Sequence, residues 1–167
     1  MQGREEMPYS LFHNRFPEIA ECETRTITLI DSSHFNLPPA HYSFLDMFCD
    51  EPGCDCRRVF FSVVSSLKND VKAVIAWGWE DQDFYKKWMG VNAPHVIKDL
   101  MGPVLNLASP QSDIAPALLK LFQLVLLQDT AYIERVKQHY VMFRETVDNT
   151  SKKKMLRKIG GKKKRKT

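Results

Sequence analysis

Three of the chain's four cysteines fall within eight residues, in the stretch Cys49-Asp-Glu-Pro-Gly-Cys-Asp-Cys56. A C-x4-C-x-C arrangement around a Pro-Gly turn can bring three thiolates towards one point. A tetrahedral Zn²⁺ requires such a geometry, at about 2.3 Å from each sulfur. Arg57 and Arg58 follow directly, and a neighbouring cation favours the thiolate over the thiol. A fourth ligand is not supplied by the run itself. His41 is the first candidate, with His34 and Cys22 also upstream and His95 and His139 downstream; failing these, water completes the coordination, as in catalytic zinc sites. Two other readings of the same cysteines stand beside this one. Free cysteine is among the most buried residue types, so the three could be inert packing at a strand entrance, or one could be a redox-active thiol. Asp50, Glu51 and Asp55 interleave with them and make the turn polar for simple burial.

The compartment decides between metal and disulfide. No apolar run approaches the roughly 20 residues that span a bilayer, and the first residues, Met1-Gln-Gly-Arg-Glu-Glu-Met7, lead into no hydrophobic segment of a secretory signal. The expectation is a cytoplasmic protein, where clustered cysteines more often bind metal or do redox work than form bridges. The 167 residues, 44% apolar and 26% charged, suit one soluble globular domain. Sequence fingerprints for dinucleotide binding, for a P-loop and for a zinc protease helix are all missing.

Two weaker features could also carry function. Trp77, Trp79 and Glu80, with Trp88 further on, concentrate aromatic rings after a strand and could line a ligand groove; core packing between the sheet and the helices is the plainer reading. The charge is also divided. The formal net of +4 conceals ten Lys or Arg and no acid between Ser151 and Thr167, which leaves the rest of the chain at −6. Lys152, Lys153, Lys154, Lys162, Lys163, Lys164 and Arg165 in this stretch could hold nucleic acid or another anionic partner electrostatically. A solvated, disordered end is the plainer reading, and the tail has no aromatic residue on which a base could stack.

The elements that must position these residues read as α+β. Residues 25–30, 57–65 and 71–78 are rich in β-branched and aromatic residues and are predicted strands, the last two a hairpin across a short polar break. Tyr42-Ser-Phe-Leu-Asp-Met-Phe48 is apolar but ambiguous; if extended, Tyr42, Phe44, Asp46 and Phe48 share one face. Helices follow: one capped by Asp81 or Asp83 and ended by Gly90, one opened by Pro94, and a pair near 114–147 forming an αα-hairpin. Residues 1–24 are expected to be an irregular lead-in, 25–148 one domain, and 149–167 a disordered basic tail. Strands first and helices later favour α+β over a doubly wound sheet.

Several blocks together resemble a known family. They are Tyr42-Ser-Phe-Leu-Asp-Met-Phe-Cys49 with Cys54-Asp-Cys-Arg-Arg58, Trp77-Gly-Trp-Glu80 with Phe84-Tyr85 and Trp88-Met89, Pro110-Gln-Ser112 with Ala115-Pro-Ala-Leu-Leu119, and Tyr132-Ile-Glu-Arg135 with His139-Tyr140. This ordered series, over about residues 25–145, is similar to a bacterial family without an assigned activity. Some members of it end in the small zinc-binding SEC-C motif, named after the SecA C-terminus. Here Lys158-Ile-Gly-Gly-Lys-Lys-Lys-Arg-Lys-Thr167 keeps a basic ending but none of that motif's cysteines. The resemblance implies a metal-handling protein and supplies no reaction. The reading carried forward is a zinc-binding module that acts through an unidentified protein partner rather than by catalysis. An enzyme or redox protein using Cys49, Cys54 and Cys56 is the alternative, and non-specific nucleic-acid binding through the tail a further one.

Overall fold

The structure is a computed structural model, describing residues 8–163, with side chains described over 8–160. Its centre is β3 (Ala40–Cys49), the segment whose type the sequence left open. Tyr42, Phe44, Asp46 and Phe48 are all buried on one face of it, as an extended reading requires. β4 (Arg58–Ser65) and β5 (Asp70–Gly78) continue from it as an antiparallel pair, with Tyr42 opposite Ser65 and Arg58 opposite Gly78. Short β6 (Val104–Leu105) pairs with β5. On the other edge of β3 two strands share the register: β2 (Arg25–Leu29) along Ala40–Phe44 and β1 (Tyr9–Leu11) along Met47–Cys49. The result is a six-stranded antiparallel sheet with helices, an α+β fold.

One face of this sheet carries the main core. Phe44 and Phe48 from β3, Val59, Phe61 and Val63 from β4, and Ile75 from β5 pack under α4 (Ala115–Leu121) and its π-helical continuation Phe122–Leu126, and under α5 (Thr130–Lys163). The two helices follow one another across a short connection, as expected near 114–147. Their inward rows, Leu118, Leu121, Phe122 and Leu126, then Val136, Tyr140, Phe143 and Val147, are the 3.6-period stripes visible in the sequence. On the other face Phe60, Val74 and Ala76 form a smaller buried cluster, with Tyr9, Met47 and Val104 packed on it. α2 (Gln82–Met89) and α3 (Pro94–Met101) follow β5. Asp81 caps α2 by accepting from Phe84 N at 2.8 Å, and Gly90 ends it at a φ of 73°. No described helix is long and apolar enough to cross a membrane.

Two expectations about the chain ends are corrected. Residues 8–24 are not irregular: β1, a 3₁₀ turn at Phe12–Asn14 and α1 (Pro17–Glu23) complete the sheet edge. The anchor is Phe12, 1% exposed and stacked on Phe16 and His139. Elements of three residues leave no periodic signal, so nothing short of the packing reveals them. At the other end, residues 149–163 continue α5 as helix. Lys, Arg, Met and Leu are strong helix formers, and a segment growing from a docked helix bears no nucleation cost. Lys164 and Arg165 lie outside the described residues.

An ionic clamp crosses the core. His139 on α5 is 4% exposed, and its Nδ1 lies 2.7 Å from Asp46 on β3. Its Nε2 lies 2.7 Å from Glu23 at the end of α1. Both ring nitrogens face carboxyl oxygens, and with both carboxyls ionised both nitrogens donate, which only the imidazolium can do. Burial opposes that charge, but the hydrogen bonds to Asp46 and Glu23 outweigh it and raise the His139 pKa above its ordinary 6.5. Burial pushes the Asp46 carboxyl up, with the His139 bond acting against it.

The sign of the linkage follows. A histidine with a raised folded pKa contributes stability that is fully present below 6.5 and is lost as pH rises through the folded value. His139→Gln should therefore cost about 3 kcal/mol in urea unfolding below pH 6.5, because it leaves the buried Asp46 carboxyl without its cation. The difference from the unsubstituted chain should shrink at alkaline pH. A difference that does not change with pH would show that the ring is neutral.

Candidate metal centre

Cys49 ends β3 and Cys56 precedes β4, so pairing of the two strands brings them together before the intervening turn is considered. The turn then folds Cys54 back onto both. Gly53 takes a φ of 74°, a left-handed conformation that glycine adopts without strain, and Cys54 N donates to Glu51 O at 3.3 Å. Arg57 also sits in the left-handed region, at φ 50°. A non-glycine residue there is strained by order 1–3 kcal/mol and persists only where its surroundings over-determine it. They do: Arg57 N donates to the Tyr140 hydroxyl at 3.1 Å, and Arg57 O accepts from the Tyr85 hydroxyl at 2.9 Å. Gly78, across the strand pair, makes room for that second bond, since a Cβ there would collide with the Tyr85 hydroxyl and stand 2.7 Å from Leu100 O.

The three sulfurs all lie within 4.8 Å of one another, and none is in a disulfide. Tetrahedral coordination with metal–sulfur bonds of about 2.3 Å sets sulfurs about 3.8 Å apart, so the group is close to the size an ion requires. Cys49 and Cys56 are each 3% exposed, and Cys54 is half-buried. The backbone N–H two residues further along the chain acts to lower each thiol's pKa: that of Glu51 on Cys49, of Cys56 on Cys54, and of Arg58 on Cys56. These donors favour the thiolate at every position.

Without a cation the three compete. Cys56 is pushed down because Cys49 donates a hydrogen bond to it, whereas that same bond, and then burial, pushes Cys49 up. Burial first, then its bond to Cys49, raises Cys54. Cys56 is thus the most acidic of the three, while Cys49 and Cys54 hold their protons more tightly. The arginines direct their charge elsewhere. Arg57 turns away into a fork on Asp55 at 3.0 and 3.1 Å and a bond to Glu80 at 3.0 Å, and Arg58 gives its Nε to Leu100 O at 2.9 Å. The sulfurs' acidity is set by one another, by burial and by the backbone.

α5 holds the turn from outside. Arg144, 7% exposed, donates to Cys49 O at 2.7 Å and to Glu51 O at 2.8 Å. Asp148 accepts from Arg144 at 3.0 Å and from Gly53 N at 2.9 Å. With Tyr140 on Arg57 N, three residues spaced four apart on one helical stripe close around the turn. A groove of about 400 Å3 runs between that stripe and the turn, bordered by Cys54, Asp55, Tyr140 and Lys152. Among the described residues no fourth His, Cys, Asp or Glu atom joins the three sulfurs.

The expected fourth ligand is corrected. His41 begins β3 and Cys49 ends it, about 26 Å away at the usual strand rise of 3.3 Å per residue. His41 is exposed and bonds Thr28 at 2.8 Å. His139 belongs to the clamp. Cys22 and His95 are exposed on α1 and α3. The aromatic pocket is corrected too. Trp77 packs on Phe122 and Trp79 edge-on against Tyr140, both against the main core, while Trp88 lies 45% exposed on α2 and Glu80 pairs with Arg57. Lys152, Lys153 and Lys154 are exposed or rim-exposed along α5, and Lys162 and Lys163 lie on its last turn. Comparisons with family models, curated proteins and solved structures find no match to this chain.

Arg144→Gln should leave buried carbonyls short of a donor and cost about 1–3 kcal/mol. Modification of Cys54 by a thiol reagent should become faster at the same time. Unchanged thiol reactivity would show that the turn holds its shape without α5.

Proposed function

We propose that this chain is a zinc protein in which Cys49, Cys54 and Cys56 hold the ion, and that it acts as a binding module rather than as an enzyme. The observation that carries the reading is the convergence of the three sulfurs, all within 4.8 Å of one another in one turn. Packing cysteines need no such convergence. Soft thiolate ligation suits zinc, and a reducing compartment keeps the sulfurs available for it. The resemblance to a family with zinc-binding members agrees with this.

In this reading the ion replaces the protons that the three sulfurs otherwise share and ties the end of β3 to the start of β4. Its fourth position faces water or a donor from a partner. Half-buried Cys54, beside the groove along α5, is where such a partner's donor would enter. The same opening favours the catalytic alternative, in which bound water is activated there.

Metal analysis of protein purified without a histidine tag should give about one zinc per chain, with three thiols protected until a chelator is added. Cys54→Ser should lower the melting temperature clearly and release the ion. Metal-free protein with freely reactive thiols would overturn the proposal. Zinc-dependent hydrolysis of a simple ester, lost in Cys54→Ser, would transfer it to the catalytic alternative.

A further inference from the structure

The second face of the sheet, opposite the main core, is only partly covered. A groove of about 750 Å3 opens there between β4, β5 and α3, with Phe60, Ala76, Leu100, Val104 and Leu105 among its walls. A volume of this order is typical of a small-ligand cleft. Beyond the tilted Tyr9–Phe60 pair, whose ring centroids lie 3.9 Å apart, a second hollow of about 360 Å3 extends over Met47 and Val74. Both walls are mainly apolar.

The exception sits at the groove's head. Arg58 is 9% exposed, its guanidinium lies 5.0 Å over the Phe60 ring, and its only hydrogen bond among the described residues goes from Nε to Leu100 O. The two terminal nitrogens, which border the groove, meet no carboxylate there. Arg57 beside it has two acidic partners, so the contrast lies within one dipeptide. Both terminal nitrogens keep some exposure, so an anion can reach them, and the shielding of the rest of the guanidinium strengthens the pairing with a counter-charge. Tyr9 borders the same groove as Arg58, and its hydroxyl has no hydrogen-bond partner among the described residues either.

We propose that this groove binds an aliphatic carboxylate, with the carboxylate on the Arg58 fork and the Tyr9 hydroxyl and the chain along the apolar wall. The planar fork of one arginine matches a carboxylate's two oxygens. A phosphate is disfavoured because the wall offers no second cation, and Asp99 at the rim repels a dianion. The apolar wall suits a hydrocarbon body and gives a sugar or peptide backbone little to bond. The groove adjoins the cysteine turn, since Tyr9 pairs with Cys49 and Arg58 follows Cys56 by two residues, but the proposal does not rest on the zinc reading.

The test is calorimetry of the full chain with decanoate below its micelle concentration, with decanol and decyl phosphate alongside. Decanoate should bind saturably near one per chain, and decanol at least about tenfold more weakly, which is about 1.4 kcal/mol. Arg58→Gln should lose at least about tenfold, and Arg58→Lys should retain part of the binding. Should Arg58→Gln fail to fold, Ala108→Trp, at an exposed groove position, leaves the arginine in place and should block the ligand. Decanol or decyl phosphate binding as tightly as decanoate would overturn the proposal. So would unchanged binding in both Arg58→Gln and Ala108→Trp, or no saturable binding at all.

Discussion

His139 is one side chain, yet three separate parts of the chain are oriented by it. Its imidazolium lies between Asp46, in the middle of the central strand, and Glu23, at the end of α1, while Phe12 covers its face. These contacts fix the rotation of α5 about its own axis. With His139 turned to the sheet, Tyr140, Arg144 and Asp148 necessarily point at the loop after β3. The clamp and the cysteine turn are thus two consequences of one helix orientation. The clamp also explains how an acidic residue can stand in the middle of the buried row Tyr42, Phe44, Asp46 and Phe48. A carboxylate there is tolerable only with its counter-ion in place.

How much of this could be read beforehand depends on the range of each signal. The cysteine cluster was legible because its parts are local: two strand ends and a turn within a dozen residues bring the sulfurs together whatever the rest of the fold does. The strands after Cys56 and the helical stripes in the second half were legible for the same reason. His41 misled because proximity in sequence along an extended strand is distance in space. The tryptophans misled because composition cannot say on which face of β5 a ring lies. Asp46 held a usable clue, a single charge on an apolar face that needed a distant cation. Which histidine answered it lay beyond local pattern, since ninety-three residues separate the pair. Tyr140, Arg144 and Asp148 recur at four-residue spacing, but only the folded turn reveals their common target.

The cysteine turn and the open sheet face share a physical theme. Each gathers like chemistry that needs a complement: three sulfurs that favour negative charge, and a guanidinium that lacks an anion. Arg57 and Arg58 stand at the boundary and are treated oppositely. One is fully satisfied by Asp55 and Glu80 and helps to hold a strained backbone, and the other is buried under Phe60 with its fork unoccupied by any described residue. The left-handed twist at Arg57 separates them. It turns the first guanidinium outward and starts β4 with the second directed to the other side.

The way the sheet ends has a bearing on how the molecule behaves in a crowd. A long, straight outer strand presents a ladder of free N–H and C=O groups on which another chain can grow. Here the ten-residue central strand has its outer side occupied by two separate pieces, β1 of three residues and β2 of five, with the 3₁₀ turn and α1 emerging between them. The opposite margin ends in the two residues of β6. Neither border offers a run long enough to template an added strand. Self-association through the backbone is therefore suppressed by the interruption itself, without the protective lysines or prolines that a continuous border would require.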